Sequence, residues 1–357
     1  MSLCGVLGFA SPGVARAPCE APQPVCAARG AVFAISGFDP QASAVRIAAD
    51  LLVTNRHTVA DLLKVTIHLP GGGTREGLVL PSSFAGDLIL VRAKLPDGPV
   101  LKPGASARGD LWSVGQDISA RRIRVYPRGK LLLLPFAGKP HARLHHTAYS
   151  QPGNSGGALV NASGELIGVT ASGGEGRFEA VPADQIADLQ AQSGPDHAET
   201  SAGLGKNIRE CTLLLEKAQR LTGTLPETLA GTIKTSCAAS ENRQLFDLAA
   251  QIMGRQRRFD DSIALFRRAL DKDPNAINSR LGLVIVLRFA RRMEQAKTHV
   301  RWLLDVIPEE RLIHPIALQL GKTLKDQELI GEALGLIEKH APNQLEAAKQ
   351  FLKSPAR

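Results

Sequence analysis

The apolar pattern of the chain changes period near residue 190, and this change constrains the fold more tightly than any other feature. Before it, short apolar segments alternate with turns such as Pro70-Gly71-Gly72-Gly73 and Pro96-Asp97-Gly98. These segments predict strands at 31–36, 44–48, 51–54, 64–69, 76–80, 87–92, 111–115, 122–126, 130–135, 142–147, 157–160, 165–171 and 177–181. Many short strands at this spacing point to a sandwich or to closed barrels. Regular strand–helix alternation is missing, which argues against a parallel α/β sheet. Aromatics make up only 4% of the chain, so the core must rest on Leu, Val, Ile and Ala.

Beyond Ala183 the pattern turns helical. Residues 183–192 begin the change, the polar stretch 193–205 reads as a linker, and from Ile208 onward apolar residues recur about every 3.6 positions. Pro274, Pro308 and Pro342 are each 34 residues apart. Aligned on them, Ala250, Val284 and Leu318 coincide, as do Phe266, Val300 and Leu334, then Ser262, Ala296 and Ile330, then Ala269, Leu303 and Ile337. A 34-residue helical period resembles tetratricopeptide repeats. Arg280 and His314 depart from that pattern, standing where an aromatic is usual. Each unit would be a helical hairpin that buries its apolar face only by stacking on its neighbours.

The run Gly153-Asn154-Ser155-Gly156-Gly157 carries the first chemical signal. A serine among glycines suits a nucleophile, because small neighbours admit close backbone approach. The run also fits the nucleophile elbow of α/β-hydrolases, which should join a strand to a helix. Here Ala158-Leu159-Val160, a turn, and Leu166-Ile167-Gly168-Val169 follow, which is strand, hairpin, strand. Upstream, Leu51-Leu52-Val53-Thr54-Asn55-Arg56-His57 ends an apolar strand on a histidine, and Asp87-Leu88-Ile89-Leu90-Val91 opens another with an aspartate. The order histidine, acid, serine is that of chymotrypsin-like enzymes and opposes the hydrolase reading.

Together, Val53-Thr54-Asn55-Arg56-His57, Asp87-Leu88-Ile89-Leu90-Val91 and Gln151-Pro152-Gly153-Asn154-Ser155-Gly156-Gly157 resemble the trypsin-like serine peptidases, closest to the bacterial HtrA/Deg type. Trp112-Ser113-Val114-Gly115 and Phe178-Glu179-Ala180-Val181-Pro182 add weaker support, and the resemblance spans about residues 30–190. It implies His57 as general base, Asp87 as its orienting acid and Ser155 as nucleophile. Backbone N–H groups of Gly153 and Ser155, with Asn154, would form the oxyanion hole. Tyr149, Thr170, Ala171 and Ser172 would bind substrate. The segment before Ser155 holds no acidic residue, so a Lys/Arg specificity is unsupported and a small or medium apolar P1 residue is expected; Glu179 is the one nearby acid that leaves this open. His145 and His146 are read as structural or surface residues. The HtrA type usually carries PDZ domains after the protease; here helical repeats take that place.

The formal charge is +9, yet the basic residues do not cluster with aromatics and no nucleic-acid fold signature appears, so a basic soluble surface is expected. No apolar run reaches the length of a membrane helix. Leu3 to Ala10 is apolar and Ala15-Arg16-Ala17 has the form of a signal cleavage site, although no Lys or Arg precedes the apolar stretch. Cleavage there would leave Cys19, Cys26, Cys211 and Cys237, an even set compatible with Cys19–Cys26 and Cys211–Cys237 disulfides in an exported protein. Free thiols in a cytoplasmic protein stay open as the alternative.

The expected architecture is multidomain: an all-β double antiparallel barrel of trypsin-like form, then an all-α helical repeat domain. Residues 1–30 are a candidate signal peptide and N-terminal segment, 31–192 the protease domain, 193–240 a linker and helical segment, and 241–357 the repeats. The expected activity is endopeptidase cleavage of protein or peptide substrates, with no cofactor and no metal, and with the repeats binding substrate or a protein partner. The resemblance also implies a homo-oligomer. A catalytically silent binding or scaffold protein working through its repeats is the alternative.

Overall fold

The computed structural model describes residues 19–104 and 106–354. The candidate signal segment therefore lies outside the described residues. A short helix, α1 (Gln23–Ala27), precedes the first barrel. That barrel is closed by β1 (Val32–Ser36), β2 (Ala42–Ala48), β3 (Leu51–Thr54), β4 (Lys64–His68), β5 (Thr74–Leu80) and β6 (Ile89–Arg92) in the order β1-β2-β3-β6-β5-β4. In β4, Val65 and Ile67 are buried while Lys64, Thr66 and His68 are exposed, the period of two that faces one side of a strand to the core. β3 is buried throughout and sits between β2 and β6.

The register of β3 on β6 positions the site. Leu52 faces Val91 and Thr54 faces Ile89, antiparallel. The end of β3 and the start of β6 therefore lie side by side. One turn of helix, α2 (Arg56–Val59), follows β3 and carries His57, while Asp87 lies just before β6. A loop of the second barrel meets the same edge.

That barrel comprises β7 (Asp110–Asp117), β8 (Arg122–Val125), β9 (Gly129–Leu133), β10 (Leu144–His146), β11 (Ala158–Asn161), β12 (Leu166–Gly174) and β13 (Arg177–Pro182). The sheet order is β11-β12-β13-β10-β9-β7-β8, and pairing of β11 with β7 closes it. Six strands form the barrel wall and β8 extends from β7, giving the expected double barrel. Each expected strand segment appears, with its ends moved by a few residues. The 142–147 segment shrinks to three residues, because Arg143 is drawn into a contact described below.

The second half is helical: α3 (Gln185–Ala191), α4 (Ala198–Arg220), α5 (Glu227–Ala239), α6 (Arg243–Arg255), α7 (Phe259–Lys272), α8 (Ile277–Phe289), α9 (Met293–Val306), α10 (Ile313–Leu324), α11 (Gln327–His340) and α12 (Leu345–Lys353). The expected linker 193–205 needs correction. From Ala198 it forms the first turns of α4, because Gly205 and Ile208 are buried on its inner face. Gly205 packs so closely on the backbone of Ala60 that an added Cβ would lie 2.4 Å from its carbonyl oxygen.

The 34-residue period is visible in the backbone. Arg257, Arg291 and Lys325, each 34 residues from the next, turn the chain between paired helices with φ of 59°, 58° and 56°. Ala250, Val284 and Leu318 are buried, as are Ala269, Leu303 and Ile337. Arg280 and His314 also prove equivalent. Each donates to the carbonyl of its own unit's proline, Pro274 or Pro308. The Arg280 guanidinium lies 4.0 Å from the centre of the Trp302 ring. Hydrogen bonding and cation–π contact thus replace aromatic packing here. Both expected disulfides are formed, Cys19–Cys26 and Cys211–Cys237, the latter joining α4 to α5. Among the described residues, no helix is long and apolar enough to cross a membrane.

Candidate active site

His57 and Asp87 are joined twice. His57 Nδ1 meets Asp87 Oδ2 at 2.7 Å, and the His57 backbone N–H donates to Oδ1 at 3.1 Å. The Asp87 carbonyl is also held, accepting from Asn55 Nδ2 at 3.0 Å and from Arg56 N at 3.3 Å. Arg56 is buried and donates to the carbonyls of Ser82 (2.9 Å) and Phe84 (3.3 Å), fixing the loop that leads to Asp87. Burial pulls its guanidinium down to about 10, against the opposing pull of Asp87. The Asn55-Arg56-His57 run thus anchors both ends of the histidine–aspartate pair.

The serine loop is docked on the first barrel. Ser43 of β2 donates its N–H to the Ser155 carbonyl at 2.7 Å and its hydroxyl to the Gly153 carbonyl at 2.7 Å. Gly156 has φ +82°, and a Cβ there would lie 2.0 Å from the Ser43 carbonyl oxygen and 2.2 Å from Thr54 Oγ1. Only glycine fits that approach. Thr170 on β12 secures the other side, its carbonyl accepting from Gly156 N and its N–H donating to Gly157 O, both at 2.8 Å.

Within this loop the Asn154 N–H is used in a turn, donating to Gln151 O at 3.0 Å. The N–H groups of Gly153 and Ser155 donate to no group among the described residues. Ser155 Oγ donates to the Ala171 carbonyl at 3.4 Å instead of to His57.

Of the expected substrate residues, Tyr149 is exposed and meets Phe178 edge-on at 5.7 Å. Thr170 and Ala171 are buried on β12. Ser172 accepts from Arg143 at 2.7 Å and donates to Glu179 at 2.8 Å. Glu179 is itself 2% exposed and is paired with both Arg143 and Arg243. Burial would raise its carboxyl, but Arg243, His145 and Arg143 outweigh this and hold it well below the ordinary range. It is therefore a committed structural anion.

Sequence reasoning did not single out Arg143 or Asn242. Arg143 Nη2 lies 3.2 Å from Asp87 Oδ2, and Asn242 Nδ2, from the helical half, lies 3.2 Å from Asp87 Oδ1. Burial would lift the Asp87 carboxyl; the charge and hydrogen bond of His57, then Arg143, overcome it and keep the carboxyl below its ordinary value. His145 and His146 are both buried on β10, and His145 Nε2 meets Asp273 Oδ2 of the helical half at 3.0 Å.

Residues 42–169 match the family model described as a trypsin-like peptidase domain. This stretch of the chain is similar to trypsin-like peptidase domains. Its relatives include the mitochondrial serine protease HTRA2 of Bos taurus, 33% identical over 157 residues, covering 40% of this chain and 34% of the relative. A probable serine protease do-like of Buchnera aphidicola is 29% identical over 174 residues, covering 43% of this chain and 36% of the relative. The chain thus spans about a third of the length of these curated relatives. Among solved structures, the HtrA-type protease AlgW with tripeptide is 24% identical, with a TM-score of 0.41 over 47% of this chain and 61% of that one. The Rv3671c protease in inactive form is 22% identical, with a TM-score of 0.41 over 49% and 98%. The family match lies within the β-barrel half; the helical half extends beyond it.

Proposed function

We propose that the chain is a serine endopeptidase in which Ser155 attacks the substrate carbonyl, His57 takes and returns the proton, and Asp87 orients His57. The observation that carries this reading is the His57 Nδ1–Asp87 Oδ2 contact of 2.7 Å at the edge where the serine loop docks. A carboxylate there fixes the tautomer that leaves Nε2 free to act as base. The N–H groups of Gly153 and Ser155 are the donors for the oxyanion. With Glu179 neutralised by arginines, nothing in the expected pocket selects a basic P1 side chain, and the reading favours small or medium apolar residues. The 34-residue helical hairpins support a tetratricopeptide-like array that binds substrate or a protein partner. The two disulfides and the kinship with DegP-like periplasmic proteins favour an exported protein. Fluorophosphonate labelling tests the reading: the wild type is labelled and cleaves β-casein, and Ser155→Ala loses both. Labelling that persists in Ser155→Ala overturns Ser155 as the nucleophile. A folded wild type that neither labels nor cleaves favours the binding or scaffold alternative.

A further inference from the structure

The buried seam between the two halves reaches the aspartate of the candidate triad. Asp87 has two carboxylate oxygens, and each accepts twice: Oδ2 from His57 Nδ1 and Arg143 Nη2, Oδ1 from His57 N and Asn242 Nδ2. A carboxylate offers about four lone-pair positions, so its shell is full. Three donors belong to the β-barrel half. The fourth, Asn242, lies 155 residues along the chain at the start of α6.

The orientation of the Asn242 amide is fixed by its second partner. It caps α6, its Oδ1 accepting from Leu245 N at 3.3 Å. Rotating the amide would set oxygen against the Asp87 carboxylate and nitrogen against a backbone donor. Two clamps hold the residue in place. On one side α4 packs against α2, with Arg209 paired to Asp61 at 2.5 Å and Arg56 donating to Ser201 Oγ at 3.3 Å. On the other, Arg243 pairs with Glu179, and Asp273 accepts from Arg143 N (3.2 Å) and His145 Nε2 (3.0 Å).

We propose that Asn242 is a positioning residue supplied by the helical domain, completing the hydrogen-bond shell of Asp87 and so tuning His57. The proposal rests on the reading of Asp87 as the acid of the triad. The helical domain then has a role in the chemistry apart from any partner it binds. The titratable and charged groups facing Asp87 are His57 and Arg56 from α2, with Arg143 and His141 from the segment leading into β10. Asn242 adds a side-chain donor that does not titrate. Its removal leaves the carboxylate less well solvated and a stronger partner for the imidazolium.

Asn242→Ser and Asn242→Asp test this, because both side chains still cap a helix. Serine is too short to reach Asp87, and aspartate replaces the donor with a like charge. Both variants should fold, and both should lose about 10-fold or more in kcat with KM little changed, because an Asp87 no longer held in place misaligns the imidazole for proton transfer, and this outweighs the stronger pairing. The acid limb of the kcat/KM profile should move to higher pH, further for Asn242→Asp. Titration of His57 by NMR in a Ser155→Ala background should show the same order without relying on turnover. An upward shift in His57 titration, with a wild type that hydrolyses neither casein nor a p-nitrophenyl ester, supports the positioning role and refutes the peptidase reading. An active wild type whose kinetics and His57 titration are the same in both variants overturns the positioning role and leaves the peptidase reading standing.

Discussion

Arg143 Nη2 and Asp87 Oδ2 lie 3.2 Å apart, on the oxygen that also meets His57 Nδ1 at 2.7 Å. The same guanidinium reaches Glu179 Oε2 through Nη1 at 3.2 Å, so one buried cation serves two buried anions. Arg143 is 3% exposed, and water cannot take over its role.

Replacing Arg143 by Met should destabilise the fold by about 3–5 kcal/mol, the usual cost of stranding a buried charge. Urea unfolding measures it. Adding Glu179→Gln should recover part of the loss, since Arg243 alone then has fewer anions to balance. Strict additivity of the two changes would show that the groups are independent.

Ser43 holds the serine loop by its hydroxyl, which donates to Gly153 O and accepts from Gln116 N at 2.9 Å. Ser43→Ala should cost about 1–3 kcal/mol of stability, because buried partners are left unmade. Activity should fall about 10- to 100-fold, because the candidate nucleophile and oxyanion donors lose their register with His57. Casein cleavage and thermal melts on the same preparation separate the two effects.

Acid should weaken the fold through His146. Burial, with His145 beside it, pushes that imidazole down to about 3 from an ordinary 6.5. In the unfolded chain it takes up a proton near pH 6.5, and in the folded chain it does not. Its contribution is therefore complete above pH 6.5 and is lost as pH falls toward 3. Asp87 and Glu179, held below their ordinary values, keep their full contribution above about pH 4.5 and lose it only below that. Between pH 6.5 and 4.5, His146→Gln should flatten the stability profile by about one proton relative to wild type. An unchanged slope in urea titrations across that window would contradict the assignment.

Reduction should weaken the helical half. Cys211 and Cys237 are fully buried and 26 residues apart. A loop of that length contributes about 3.5 kcal/mol through the unfolded chain. Cys211→Ala with Cys237→Ala should lower the urea midpoint accordingly, and dithiothreitol should then have little further effect through this pair.

What the sequence makes legible is local. Alternation in β4 and the helical period from Ile208 onward each announce their element, because burial of one face writes itself at fixed spacing. His57, Asp87 and Ser155 stand out because each lies in a distinctive short run. Arg143 and Asn242 do not, since a charged or amide residue in a strand or before a helix ordinarily faces solvent. Their role is set by contacts 56 and 155 residues away in the chain. Asp273 did carry a signal: its repeat equivalents are Ile307 and Ala341, so the first unit alone places an acid there. The linker expected at 193–205 failed for a related reason. Its polar residues cover the outer face of α4, while Gly205 and Ile208 face inward.

The place of Asn242 in the chain has a consequence for biosynthesis. A polypeptide grows from its N-terminus, and domains tend to fold in that order. A nascent chain ending before residue 242 already contains every strand of both barrels, together with His57, Asp87 and Ser155. Its aspartate still lacks a donor, and the seam through Arg243 and Asp273 has yet to be made. The ribosome thus delivers the candidate catalytic residues first and Asn242 afterwards, an order that leaves the hydrogen-bond shell of Asp87 incomplete until the helical half has docked.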